Sequence, residues 1–274
     1  LLLPFWLSAT LLTTGCGDKD STGPALEVNL GETTFVVLVN PVVNAANAVP
    51  VPAPGTLRSV EVSWGSAQVQ AGGDGIAVLN RIAAGSGLLH FATPGIAASV
   101  STSIAEKDLH EVAVALGPQS GAGIMANVRY AFGGVVVEIT PSTPVAQVNA
   151  QLASSNIIVL LRRGIYRGNI QFTGSNVTLF GAGVSGGEVT IEGNVTIEGS
   201  SNRIRGARIV GDLSVSGSNA GVSFSRVTGR FSLSGSGAVL LNNAFCGPVV
   251  LGGSNPTVLG NAGLPPLAAP SGGC

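Results

Sequence analysis

Four segments of this chain repeat every 18 residues: NVTIEGS (Asn194–Ser200), DLSVSGS (Asp212–Ser218), RFSLSGS (Arg230–Ser236) and PVVLGGS (Pro248–Ser254). Gly199, Gly217, Gly235 and Gly253 fall in register. A fifth copy, NIQFTGS (Asn169–Ser175), begins 25 residues upstream, so an insertion of seven separates it from the others. One alternating set within each unit is apolar: Val195/Ile197, Leu213/Val215, Phe231/Leu233 and Val249/Leu251. Ile204, Val222, Leu240 and Val258 form a second column, and Ile209, Val227 and Phe245 a third. A unit this short cannot cover its own apolar columns, but stacking units at the strand spacing of about 4.8 Å makes one continuous core. A coil built on six-residue steps would need an aliphatic at each step, and stepping from Val195 gives Ser201 and Ala207. The pattern therefore predicts a right-handed parallel β-helix with 18-residue coils, in an all-β chain.

Composition agrees. Gly and Pro contribute 40 and 15 of the 274 residues, and charged residues only 10%, against about 25% in an average domain. Gly and Pro penalise helix interiors, and the strong helix formers Glu, Lys and Arg are rare. A net charge of -1 argues against a nucleic-acid partner, which requires a basic surplus. Mean hydropathy is +0.47, yet no apolar run reaches the roughly 20 residues of a spanning helix.

Upstream of the repeat, short strands alternate with Pro, Gly and Asn clusters. Thr34–Val39, Leu57–Trp64, Ile76–Leu79, Leu88–Ala92 and Glu111–Leu116 are the clearest, and they predict a small sandwich. Its segment from Gly72 to Ser99 opens on Gly-Gly-Asp-Gly, a tight turn before a strand, an Ala-Gly turn and another strand. This arrangement resembles the carboxypeptidase regulatory-like, transthyretin-type domains of exported proteins. The resemblance implies a spacer or adhesive module without catalytic residues. Ser154 to Gly183 resembles the opening coils of pectin-lyase-like proteins, which implies a short helix, here Pro144–Ser154, capping the first coil. The regular corners, as in Ile209–Leu213, also resemble bactofilin-type β-helices, which polymerise end to end.

Residues 1–16, LLLPFWLSATLLTTGC, read as the apolar core and cleavage zone of a secretory signal. Cys16 after Gly15 resembles the lipobox of bacterial lipoproteins, although Thr13 stands where that family favours an aliphatic residue. The resemblance implies lipidation of Cys16 and a membrane partner reached through an acyl anchor, with Gly17 compatible with the outer membrane. An ordinary signal peptide is the plainer alternative. The expected organisation is a signal peptide (1–15), tether (16–24), sandwich (25–117), linker and cap (118–148) and β-helix (149–274). Cys246 and Cys274 are a candidate disulfide in an exported protein, and closing that loop would contribute about 3–4 kcal/mol. Two separate thiols remain the alternative.

Catalysis in pectin-lyase-like proteins needs clustered carboxylates. From residue 150 onward the acids are Glu188, Glu192, Glu198 and Asp212, and no two stack in register. Asp212 falls between Asn194 and Arg230, which predicts an ion pair between coils. Neither His90 nor His110 has companions at metal-ligand spacing, so both are expected on the surface or in packing. No catalytic residue, metal or cofactor is assigned. Asn243 and Asn261 stack behind Ser225 and predict a hydrogen-bonded ladder at a corner.

Charge is divided unevenly. Residues 150–274 hold eight Arg and four acids (+4), whereas residues 1–149 hold five bases and ten acids (-5). Arg208 and Arg226 are 18 apart and project from consecutive coils, while Arg203 and Arg205 share a strand face. Guanidinium forks bind carboxylate and sulfate, so these four form a candidate strip for an anionic polysaccharide or envelope glycan. A solvated face that keeps the coil soluble is the plainer reading. The expectation is a non-catalytic lipoprotein of the bacterial cell envelope, acting as a structural or glycan-contacting module. A polysaccharide lyase or hydrolase and a self-assembling scaffold are the alternatives.

Overall fold

The computed structural model describes residues 31–41, 60–72, 75–94, 96–117, 121–181, 189–261 and 263. Cys16, Cys274, the signal and tether segments, and Glu188 lie outside them. The described fold is all-β, with one short helix.

Nine strands precede the helix: β1 (Thr34–Pro41), β2 (Glu61–Trp64), β3 (Ala67–Gln70), β4 (Ile76–Leu79), β5 (Gly85–Thr93), β6 (Ile96–Ile104), β7 (Asp108–Gly117), β8 (Gly121–Ala131) and β9 (Val135–Ile139). The first eight make two four-stranded sheets, ordered β4-β1-β7-β8 and β3-β2-β5-β6. Their inner faces pack Phe35, Val37, Val112 and Val114 against Val62, Trp64, Leu89 and Phe91. Trp64 meets Phe35 edge to face at 5.0 Å, and its indole N–H reaches the Ala83 carbonyl at 3.0 Å. Strands β3, β6 and β8 escaped the sequence reading. Their Gly, Ala, Ser and Gln content gives weak strand propensity, and pairing to better strands holds them. Residues 118–148, expected as linker and cap, supply β8 to the sandwich and β9 to the following domain.

After helix α1 (Val145–Leu152), five coils follow, each with three short strands. The first is β10 (Ile157–Leu161), β11 (Gly164–Arg167) and β12 (Ile170–Phe172). The second is β13 (Val177–Gly181), β14 (Val189–Glu192) and β15 (Val195–Ile197). The third comprises β16 (Arg203–Arg205), β17 (Ala207–Ile209) and β18 (Leu213–Val215). The fourth comprises β19 (Gly221–Ser223), β20 (Arg226–Val227) and β21 (Phe231–Leu233). The fifth comprises β22 (Val239–Leu241), β23 (Ala244–Phe245) and β24 (Val249–Leu251), and β25 (Thr257–Leu259) starts another turn.

Like strands stack in parallel into three sheets: β9-β10-β13-β16-β19-β22-β25, β11-β14-β17-β20-β23 and β12-β15-β18-β21-β24. This is the parallel β-helix that the repeat predicts, with Val195 facing Leu213 and Leu213 facing Phe231 in the expected register. The inserted seven residues, 182–188, separate β13 from β14. From Ile170 to Phe245 the inward columns are fully buried, and Phe231 stacks on Phe245 at 4.3 Å. A Cβ on Gly235 would overlap the Gly217 carbonyl oxygen of the preceding coil, so this corner closes only with glycine. Another corner turns through left-handed residues at Asn156, Asn176, Ser201, Asn219 and Asn255, with φ from 52 to 58°. Asn tolerates that region because its side chain bonds locally.

Helix α1 covers the first coil with Val148 and Leu152. Its Asn149 also completes the edge of β12, accepting from the Gln171 N–H and donating to the Asn169 carbonyl, both at 3.0 Å. The expected cap is therefore present.

The sandwich and the coil are docked. Sheet β4-β1-β7-β8 is covered on both faces, by the other sandwich sheet and by the seven-stranded sheet of the coil. Val36, Leu38, Leu109, Ala113, Val128 and Tyr130 pack with Ile158, Leu160, Phe180, Leu241 and Leu259. A sandwich strand with one face in water alternates apolar and polar residues. Phe35–Val39 of β1 and Val112–Leu116 of β7 are apolar at successive positions because both their faces are buried, and β10, with all five residues buried, follows the same rule.

Candidate functional site

The four arginines of the expected strip lie on two different sheets. Arg203 and Arg205 stand on β16, in the sheet that the sandwich covers. The Arg205 side chain is 7% exposed and pairs at 2.5 Å with Glu111 of β7, whose side chain is 0% exposed. Tyr130 donates to Glu111 at 3.2 Å, and its oxygen lies 2.7 Å from the Ser223 hydroxyl. The rings of Phe180 and Phe224 each approach the guanidinium carbon to 4.9 Å. Phe224 adopts φ 48°, in the corner column shared with Gly206, Asn242 and Gly260. A bulky residue rarely takes that conformation, and here it brings the ring onto Arg205. Burial, joined by the Glu111 charge, raises the Tyr130 hydroxyl well above the usual tyrosine range and keeps it a neutral donor.

Arg205 is therefore corrected from surface anion ligand to structural residue. Its charge is consumed by a carboxylate 94 residues away, in the other domain. Arg203 is half-buried and lies against the corner, donating to Asn176 Oδ1 at 3.4 Å and to the Ser201 carbonyl at 3.3 Å.

Arg208 and Arg226 are on the second sheet, away from the sandwich. They occupy directly facing positions of β17 and β20, in an outward column that runs Ile165, Thr190, Arg208, Arg226, Ala244. Parallel pairing sets their Cα atoms about 4.8 Å apart. Both are half-buried, so their stems lie along the sheet. Further along this face Arg167 pairs with Glu192 at 3.0 Å. The third sheet shows an outward column of Gln171, Thr196, Ser214, Ser232 and Val250. Two adjoining faces thus present a cationic pair and a row of hydroxyls.

Among the described residues the acids do not converge. Glu192 is engaged by Arg167, and Glu198 accepts from Gln171 Nε2 at 3.4 Å. Asp212 does not form the expected ion pair with the Arg230 guanidinium. Its carboxylate accepts the Arg230 backbone N–H at 2.8 Å, and its own N–H donates to Asn194 Oδ1 at 2.9 Å. A corner ladder of side chain to backbone bonds takes the place of charge pairing. The expected ladder is present: Ser225 N–H donates to Asn243 Oδ1, and Asn243 N–H to Asn261 Oδ1, each at 2.9 Å and buried. Asn202 does similar work between the first coils, and the repeat does not signal it because its column continues as Ala220 and Ala238. It accepts from the Val177 N–H at 2.8 Å and donates to the Gly174 carbonyl at 2.7 Å.

His110 is packed inside the sandwich, with its ring 5.2 Å from that of Phe35, whereas His90 is exposed. Burial, with a smaller contribution from the Arg129 cation, pushes the His110 pKa down to about 4. Among the described residues, no three His, Cys, Asp or Glu side chains are grouped to hold a metal ion. Cys246, just after β23, is disulfide-bonded, and both other cysteines lie outside the described residues.

Compared with family models, curated proteins and solved structures, the chain matches none of them. What the fold defines is a class: a β-sandwich docked on a parallel β-helix.

Proposed function

We propose that the chain is a non-catalytic module of the bacterial cell envelope, tethered through an acyl group on Cys16 and contacting an anionic glycan through Arg208 and Arg226. The observation that carries this reading is the facing pair Arg208–Arg226 on a sheet that the sandwich leaves uncovered. Guanidinium forks on neighbouring coils match the geometry of carboxylate and sulfate groups along an anionic chain. The adjoining hydroxyl row suits the neutral hydroxyls of a polysaccharide. Acids engaged one by one give no support to an acid–base pair. Docking across a buried ion pair favours a rigid spacer, in keeping with the transthyretin-type and pectin-lyase-like resemblances. The lipobox resemblance at Cys16 supports an outer-membrane location.

A soluble Cys16→Ser form run through native gels containing acidic polysaccharides tests this. Retardation is expected, weakened by salt and lost in the Arg208→Ala/Arg226→Ala double variant. Equal retardation of that variant would overturn the assigned contact. Cleavage of the polysaccharide would overturn the non-catalytic reading.

A further inference from the structure

The second and third sheets meet at a corner formed by Asn169, Asn194, Asp212, Arg230 and Pro248 in successive coils. The sandwich covers the seven-stranded sheet, so in a three-sided coil this corner lies opposite the covered face. The second coil presents Thr190, Glu192, Asn194, Thr196 and Glu198 outward across it, with two acids. The third presents Arg208, Val210, Asp212, Ser214 and Ser216, with one cation and one acid. The fourth presents Arg226, Thr228, Arg230, Ser232 and Ser234, with two cations and no acid. Formal charge on these two faces therefore runs from -2 (Glu192, Glu198) through 0 (Arg208, Asp212) to +2 (Arg226, Arg230), one coil at a time.

Within the described residues, neither the Arg226 nor the Arg230 guanidinium takes part in an ion pair or hydrogen bond. Asp212, the counterpart of Arg230 one coil earlier, accepts the Arg230 backbone N–H at 2.8 Å and leaves the exposed guanidinium to solvent. Between the two arginines, Gly229 packs on the Gly211 carbonyl and puts no side chain over the corner. Four residues separate the arginines, at most about 13 Å of extended chain. An axial path over Arg208 and Arg226 is less favourable to a polyanion. It runs out of cations after two coils, onto Ala244 on one side and onto Thr190 beside Glu192 on the other.

We propose that an anionic polysaccharide lies along the fourth coil and crosses this corner, its carboxylate or sulfate groups held by Arg226 on one side and Arg230 on the other. Its neutral hydroxyls meet Thr228, Ser232 and Ser234, and Arg208 adds a contact beside Arg226. This path rests on the glycan contact proposed above and gives it a direction and a further arginine.

Fluorescence anisotropy of labelled alginate and heparin hexasaccharides, one carboxylated and one sulfated, with the soluble Cys16→Ser chain tests it. Arg230→Gln should weaken binding about tenfold, as Arg226→Gln does, through loss of one charge-assisted contact. Arg163→Gln removes an equally exposed charge three coils away, beyond the screening length, and should change affinity less than about twofold. Asp212→Asn keeps the oxygen that accepts the Arg230 N–H and removes the acid beside the path, so binding should tighten about twofold. An Arg230→Gln variant that binds as well as Arg163→Gln, while Arg208→Ala/Arg226→Ala abolishes binding, would overturn the path and leave the glycan contact standing. A parent that binds neither hexasaccharide would overturn both.

Discussion

Replacing Arg205 by Met should expose how the two domains are held together. The substitution keeps the length of the stem but leaves Glu111, 0% exposed, with only the Tyr130 hydroxyl as partner. Removing one member of a buried pair costs about 3–5 kcal/mol, chiefly because the remaining charge is stranded away from water. Loss of the Phe180 and Phe224 ring contacts adds about 1 kcal/mol. Glu111→Leu should cost about as much for the mirrored reason. The double variant Glu111→Leu/Arg205→Met strands no charge and should recover most of the loss, a coupling energy of about 3 kcal/mol. Urea unfolding followed by two probes makes the measurement. Trp64 fluorescence reports the sandwich, where this indole is buried, and far-ultraviolet circular dichroism is dominated by all the strands together. The parent should give coincident transitions, and Arg205→Met should separate them. A loss below about 1 kcal/mol in both single variants would refute the argument, since only a solvated pair is worth so little. So would a double variant as unstable as the sum of the singles.

Other perturbations act on the coil and on the sandwich separately. Gly235→Ala forces a methyl group into the Gly217 carbonyl, where only backbone can give way, and thermal unfolding should show a loss of at least about 2 kcal/mol. Asn243→Ala leaves the buried Ser225 N–H without its acceptor and the Val222 carbonyl without the Asn243 donor, for a loss of about 3 kcal/mol in urea. His110 titrates near 4 in the folded chain, below its unfolded value of 6.5, so the unfolded chain binds the extra proton between these pH values. Its contribution is therefore present above pH 6.5 and lost as pH falls toward 4, about 3 kcal/mol in all. His110→Phe should flatten stability across that window, and an unchanged slope would reassign the acid sensitivity to other groups.

The features that were legible in the sequence are those that repeat at a fixed offset. In a parallel coil each residue meets its counterpart one period away, so Val195, Leu213 and Phe231 declare their contacts by spacing alone. The same holds for the Asn243–Asn261 ladder and for the facing of Arg208 and Arg226. Asp212 shows the limit of that logic. Its register was right, but the corner turns its carboxylate to the Arg230 backbone, because an unmet N–H at a tight turn is a nearer partner than a mobile guanidinium in water.

Arg205 depended on the tertiary structure. Its spacing from Arg203 places both on one strand face, but nothing local says what covers that face, and Glu111 belongs to a domain with no periodic relation to the coil. The sequence did contain an unused signal: Phe35–Val39 and Ile157–Leu161 are apolar at successive positions, which a strand with one wet face does not permit. Those runs determined that each strand would be covered twice. That the two coverings are one another, and that a buried cation and anion meet where they join, was decided only by docking, because side-chain period fixes which way a residue points but not what it meets.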